Sequence, residues 1–365
     1  MNSRERVQAA LNYEKIDRIP FDATLSIGAC NKLIDYLHLP VKKMDSCNIF
    51  QLCFPEPEVL KALGIDCAYL PVHVPSNVKP YTYGEEEHVT EFGLLYKKAV
   101  SGEYEDMQVV NAPLADYELE DLDRFPWPDP NDDAIYAGLR ERAKYLYENT
   151  DLALVGYFGG SMFTLASQMR GMEQWLYDLA GDPEFAVALM TRLKEYFITL
   201  YCRCLDECGE YLSFIRTDYD DYGAQNAGLI SLKMYRELIR PVTDEFYDVV
   251  KKKFLSKNPN GKMMKHSCGD VFSFVNDFID MGIDMLDPVQ TNAKDMDFDT
   301  LAKAYKGKIA FHAGIDTQKI LPHGTKEDVE REAKEAIEKL AMPGGYVIGP
   351  VHHLQPDVPP ENFIS

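Results

Sequence analysis

The chain has no apolar run long enough to span a bilayer, so a transmembrane helix is not a reading of its 365 residues. It is short of positive charge: 38 Lys and Arg stand against 59 Asp and Glu, for a formal charge of −21. An acidic exterior repels nucleic acid and anionic membrane, and no local basic patch offsets it, so neither is an expected partner. Arginine is missing altogether from Ile19 through Asp123. A regular cysteine framework is missing too, because the eight cysteines are irregularly spaced, with Cys202, Cys204 and Cys208 together on one predicted helix. That usage fits a reduced, cytoplasmic protein better than a disulfide scaffold. Cys204 and Cys208 are i,i+4 neighbours, yet nothing nearby completes a metal set, and small buried side chains explain them. The stretch Met1-Asn-Ser-Arg-Glu-Arg reads as the start of a polar amphipathic helix rather than a signal peptide.

What is present is a large apolar fraction, 46% hydrophobic and 12% aromatic, enough to bury a sizeable core. Strand-like runs fall at Arg18–Ala23, Asp66–Val72, Leu152–Tyr157, Leu212–Thr217, Lys262–Ser267, Met285–Pro288, Lys308–Ala313 and Gly345–Pro350. Amphipathic segments alternate with them: Ala29–Leu37, Pro57–Leu63, Asp132–Glu148, Met162–Gly209 in pieces, Ser231–Phe254, Val271–Met281, Phe298–Tyr305 and Lys326–Leu340. Ser231 and Thr325 read as helix caps, and Gly64, Gly209 and Gly282 fall just past helix ends. Eight strand–helix units predict parallel pairing and a (β/α)8 TIM barrel. Residues 75–130 break the rhythm. Within them Glu91–Ala99 and Glu103–Asn111 read as a β-hairpin inserted after the second strand, so the expectation is one domain over 1–365 with an excursion.

In such a barrel the active site lies at the carboxyl ends of the strands. Polar residues gather there: Asp22, His73, Asp218, Asp220, Asp221, His266, Cys268, Asp287, Gln290, His312, Asp316, His352 and His353. The sharpest signal is Lys262-Met-Met-Lys-His266-Ser-Cys268-Gly-Asp270, a strand running into a Gly-Asp turn. Residues i and i+2 at a strand end point the same way, so His266 and Cys268 converge on one point. Imidazole and thiolate are donors that zinc prefers; the same spacing also suits a catalytic pair, or a core histidine beside a buried thiol. Asp270 reads as a helix cap.

The segments His266-Ser-Cys-Gly-Asp, Asp287-Pro-Val-Gln290, Gly314-Ile-Asp-Thr-Gln318, Gly344-Gly-Tyr-Val-Ile-Gly-Pro-Val-His352 and Gln355-Pro-Asp-Val-Pro-Pro-Glu-Asn362 resemble successive motifs of the uroporphyrinogen decarboxylase superfamily. Upstream, Gly159-Gly-Ser161, Arg170-Gly-Met-Glu173, Asp220-Asp-Tyr-Gly-Ala-Gln225 and Arg240-Pro241 are similar to the same family, and in particular to its methyltransferase-like branch. The resemblance implies a (β/α)8 barrel. It leaves the chemistry open between metal-free porphyrinogen decarboxylases and zinc-dependent, corrinoid-linked methyltransferases. Decarboxylases of the family carry an arginine-rich segment after the first strand, where this chain reads Phe21-Asp-Ala-Thr-Leu-Ser-Ile-Gly28. Without those guanidinium forks a porphyrinogen octacarboxylate is poorly held. The family's aspartate after the second strand falls near His73, and its pocket tyrosine near Gln168.

The resembling zinc enzymes use a His-X-Cys pair and a later cysteine, which implies His266 and Cys268 with His352 at the third position, or His353 if the alignment slips by one. The expected activity is then transfer of a methyl group between a small methylated substrate and the cobalt of a partner corrinoid-binding protein. Zinc is the expected cofactor. Asp218, Asp220 and Asp221 are expected to orient the substrate or give protons, with Gln290 and Asp316 nearby and Asp22, His73, Gln168, His312 and His353 as substrate contacts. A carboxy-lyase and a non-catalytic barrel that binds a corrinoid or a partner are the alternatives, and a homodimer is admitted. The family usually continues past Asn362-Phe-Ile-Ser365 into a last helix, so a truncated chain is also an expectation.

Overall fold

A computed structural model describes residues 1–101 and 104–365. The strands in chain order are β1 (Leu25–Ser26), β2 (Leu52–Cys53), β3 (Cys67–Pro71), β4 (Glu87–Val89), β5 (Leu95–Ser101), β6 (Tyr104–Val109), β7 (Ala153–Tyr157), β8 (Phe214–Tyr219), β9 (Lys262–His266), β10 (Met285–Asp287), β11 (Ala310–His312) and β12 (Tyr346–Val347). Seven of them form one curled parallel sheet in the order β12-β11-β10-β9-β8-β7-β3. The predicted first strand, Arg18–Ala23, shrinks to a bridge at Phe21. Pro20 lacks an N–H and cannot hold a regular ladder. The segment still joins the two sheet edges. Asp22 N–H donates to Ile348 O (2.9 Å), Ile348 N–H to Pro20 O (3.0 Å) and Asp66 N–H to Phe21 O (2.8 Å). The architecture is therefore an α/β, TIM-barrel-like fold.

Helices alternate with the sheet strands: α1 (Ser3–Leu11), α2 (Ile27–Tyr36), α3 (Pro57–Ala62), α4 (Leu139–Asn149), α5 (Phe163–Arg170), α6 (Met172–Gly181), α7 (Pro183–Cys208), α8 (Leu232–Met234), α9 (Arg240–Lys257), α10 (Val275–Asp280), α11 (Phe298–Tyr305), α12 (Ile320–His323), α13 (Lys326–Leu340) and α14 (Pro360–Ile364). α13 starts with a capping box in which Thr325 and Asp328 serve each other's backbone N–H. The predicted helix from Ser231 to Phe254 is interrupted by a π turn at Tyr235–Ile239. Pro241 has no N–H for the i−4 bond, and the wider turn absorbs the loss. Among the described residues no helix is long and apolar enough to cross a membrane. Between β3 and β7, strands β4, β5 and β6 form a separate antiparallel sheet, and the link at residues 102–103 lies outside the described residues.

The interior of the curled sheet is laid down in two tiers by the period of two. The lower tier is apolar: Cys67, Ala153, Val155, Phe214, Met264, Met285, Ala310 and Val347 pack with Val7 and Leu11 of α1, which plugs the amino end. Two residues further along the strands stand Tyr69, Tyr157, Arg216, His266, Asp287 and His312. One step of the alternation thus turns a core into a polar floor.

Candidate active site

That polar tier floors a cavity of about 240 Å³ whose wall includes Asp22, Phe50, Tyr219, Asp221 and His353. Asp287 organises the floor. Its Oδ2 lies 2.6 Å from His266 Nδ1 and its Oδ1 lies 2.6 Å from His312 Nδ1. The carboxylate is held well below its usual range by His312, His266 and Arg216, which overcome its burial. His312 also places Nε2 3.0 Å from Asp22 Oδ2, so both of its nitrogens face carboxylates and both donate. Burial alone would lower the His312 pKa; Asp287 and Asp22 prevail and raise it to about 9. Tyr69 donates to the same Asp22 oxygen at 2.6 Å.

His266 is different. Its Nδ1–H points at Asp287, which leaves the Nε2 lone pair facing Cys268 Sγ at 3.4 Å and Asp221 Oδ1 at 3.8 Å. Asp221, His266 and Cys268 each offer a ligand atom within 4.8 Å of the others. The loop carrying Cys268 is sewn to the loop carrying Asp221. Cys268 N–H donates to Asp221 Oδ1 (2.8 Å), Tyr222 N–H to Ser267 Oγ (3.1 Å) and Asp270 N–H to Ala224 O (2.8 Å). Two glycines permit the approach: a Cβ on Gly269 would come within 2.5 Å of the Gly223 backbone, and Gly269 has φ +84°. Burial and the charges of Asp221 and Asp287 push the Cys268 thiol well up, with Arg216 opposing them. A thiolate is stable in such surroundings only beside a cation, and one imidazole, one carboxylate and one thiolate are a donor set that suits zinc with a position left open.

The structure distributes the other sequence-predicted residues unevenly. Asp22, Gln168, His312, His352 and His353 line the cavity with Asp221 and His266. His352 stands outside the group formed by Asp221, His266 and Cys268. Its ring lies against that of His353, centroids 4.1 Å apart and planes tilted by 45°. Burial, with the neighbouring His266 and Arg216 acting in the same direction, lowers the His352 pKa to about 4. Asp218 lies off the cavity, because β8 and β9 shift register between Arg216 and Tyr219; the irregularity turns Tyr219 inward and Asp218 outward. Asp220 accepts from Ser161 Oγ (2.5 Å) and from the N–H groups of Met162, Phe163 and Thr164 at the start of α5. Gln290 Oε1 accepts from Gly269 N–H (2.7 Å), and Asp316 Oδ1 from Gln318 N–H (2.6 Å), so both shape loops. His73 lines a neighbouring cavity of about 140 Å³ that shares Gln168, Phe50 and Tyr219 with the main one. Sequence reading missed Arg216, Tyr69, Tyr157 and Tyr219. The alternation from Phe214 was the available signal for Arg216.

With this geometry established, comparison with known proteins gives the family. The uroporphyrinogen decarboxylase (URO-D) family model matches residues 101–364, and the chain belongs to that family. No curated protein matches it. Among solved structures it is similar to a methyltransferase from Methanosarcina mazei, with a TM-score of 0.62, 17% identity, and coverage of 100% of this chain and 96% of the other. A GH53 catalytic domain from Ignisphaera aggregans aligns at a TM-score of 0.39 and 12% identity, covering 92% of this chain and 87% of its own. The protein is a URO-D-like enzyme by family and fold.

Proposed function

We propose that this protein is a methyltransferase that moves a methyl group between a small methylated substrate and the cobalt of a separate corrinoid protein, with zinc held by Asp221, His266 and Cys268. The convergence of those three side chains beside the cavity carries the reading. Zinc bound there would act as a Lewis acid, polarising an ether oxygen or stabilising a thiolate leaving group. The remaining work falls to the chain. Asp287 fixes the His266 tautomer so that Nε2 faces the other two donors. His312, charged between Asp22 and Asp287, offsets two carboxylates and keeps the floor rigid. The rings of Tyr69, Tyr157, Tyr219 and Phe50 give the substrate an apolar bed. The cytoplasm is the compartment that suits the free cysteines and a reduced corrinoid partner.

Porphyrinogen decarboxylation is disfavoured on two grounds. No arginine occurs from Ile19 to Asp123, and about 240 Å³ is little room for a tetrapyrrole, since pockets for drug-sized ligands span roughly 300–1,000 Å³. The test pairs two assays. Zinc-loaded protein with cob(I)alamin and a panel of methoxyarenes, methylamines and methyl thioethers is expected to give methylcobalamin, read from its visible spectrum. Incubation with uroporphyrinogen is expected to leave all carboxyl groups in place, and their steady loss would overturn the reading.

A further inference from the structure

The excursion between β3 and β7 carries a run of glutamates, and one of them is treated differently from its neighbours. Glu85 meets His88 at 3.2 Å, Glu87 meets Lys97 at 2.6 Å, and Lys98 serves Glu105 at 3.0 Å and Glu86 at 3.8 Å. Glu91 has no ion pair and, beyond its own backbone N–H, no hydrogen-bond donor among the described residues. It stands on the turn between β4 and β5, where Thr90 N–H donates to Leu94 O (3.0 Å), Gly93 N–H donates to Thr90 O (3.0 Å) and Gly93 takes φ +72°. A charged turn residue ordinarily faces solvent. Here the neighbouring Phe92 is buried with its ring 5.2 Å from that of Tyr196 on α7, which pins the turn inward. Glu91 then lines the cavity of about 140 Å³ beside the main one.

Among the described residues no lysine or arginine lines that cavity; around Glu91 stand Phe50, Tyr96, Tyr196, Phe197 and Tyr219. Burial raises the Glu91 carboxyl, and burial with the Glu91 charge acting in the same direction raises the phenols of Tyr96, Tyr196 and Tyr219. A carboxylate kept in such a wall without a cation is costly, and a ligand of opposite sign would complete it. A divalent metal ion is the wrong partner, because it needs about six oxygen ligands and this wall offers one carboxylate. An alkylammonium suits it: the diffuse charge is attracted by aromatic rings as well as by the carboxylate, and the methyl groups fill apolar space. The size agrees, since a cavity of about 150 Å³ holds a benzene-sized molecule. We propose that this second cavity binds a small methylated ammonium ion, held by Glu91 among the rings of Phe50, Tyr96, Tyr196 and Tyr219. The site owes nothing to the zinc group or to methyl transfer.

The experiment measures calorimetric binding of choline, and of its uncharged isostere 3,3-dimethylbutan-1-ol, to the purified protein and to Glu91→Gln, Glu91→Asp and Asp221→Asn. Choline is expected to bind the wild type about tenfold or more tightly than the alcohol, the range of a desolvated cation–aromatic contact joined to a charge pair. Glu91→Gln is expected to bring the two to equal affinity, Glu91→Asp to keep part of the preference, and Asp221→Asn to leave it intact. Because Glu91→Gln removes an unpaired charge, its denaturant midpoint is expected to equal or exceed that of the wild type. A lower midpoint would mean that the carboxylate is already satisfied within the protein, and would overturn the site. So would equal affinity in the wild type, no binding of choline at millimolar concentration, or a preference that survives in Glu91→Gln. A preference lost in Asp221→Asn and kept in Glu91→Gln would put the cation in the main cavity instead.

Discussion

Strands β8 and β9 carry charged groups on both of their faces, and the two faces are finished differently. On the outer face Lys265 donates to Asp218 Oδ2 (2.5 Å) and to Tyr247 Oη (2.7 Å), Tyr247 donates to Asp218, and all three are essentially unexposed. The ammonium also lies 5.1 Å from the Tyr222 ring centroid and 5.2 Å from that of Phe278. Every charge there has a partner within the protein. On the inner face, Arg216, two residues before Asp218, has its Nε without a hydrogen-bond partner among the described residues, and His266, next to Lys265, turns Nε2 toward a thiol at 3.4 Å and a carboxylate at 3.8 Å beside the cavity. A satisfied cluster holds strands in register; an unsatisfied one waits for something to bind.

That contrast is open to attack by substitution, beginning with the outer face. Lys265→Met strands the Asp218 carboxylate in an apolar layer and is expected to cost about 3–5 kcal/mol in denaturant unfolding. Replacing Asp218 by Leu in the same chain should recover most of that loss, and a double variant as unstable as the single one would break the idea that the pair is only structural. The inner face should answer to pH. The His312 pKa is raised from 6.5 to about 9, so its contribution is fully present below pH 6.5 and is lost as pH rises through about 9. Up to about 3 kcal/mol should disappear across that window. His312→Asn should flatten the unfolding free energy over the same range, and an unchanged slope would place the titrating group elsewhere.

Asp287→Asn removes the anchor of the His266 tautomer and is expected to weaken zinc binding about 10- to 100-fold in a chelator competition. Undiminished affinity would mean that the ring is oriented by other contacts. The smallest effect is expected at Arg216. Because its Nε has no hydrogen-bond partner among the described residues and its contact with Asp287 is 3.5 Å long, Arg216→Gln should shift the unfolding free energy by less than about 1 kcal/mol. A loss several times larger would show that the guanidinium stabilises the fold rather than serving a ligand.

The strands and long helices were legible because each keeps one period over several residues. α11 and α13 begin and end at the predicted residues, and the seven sheet strands lie within the predicted runs or within two residues of them. The first strand failed at Pro20 and the long helix at Pro241, both places where a missing N–H overrides apolar pattern. The site was legible to the extent that strand ends mark it. Facing was harder to read. Continuing the alternation from Phe214 through Arg216 puts Asp218 inside, and only the register shift in β8, which leaves no mark in composition, turns it outward. Asp221 meets Cys268 through two glycine contacts made across space between loops 45 residues apart or more, a pairing that no local pattern encodes.

The inner face is tested most directly by X-ray absorption at the zinc K-edge on the purified protein. The expected result is about one zinc per chain with one sulfur neighbour near 2.3 Å and the remaining neighbours nitrogen or oxygen. The sulfur contribution should vanish in Cys268→Ser and persist in Lys265→Met. A chain that takes up no zinc, or a zinc shell that contains no sulfur, would contradict the assignment of Asp221, His266 and Cys268 as the metal-holding group.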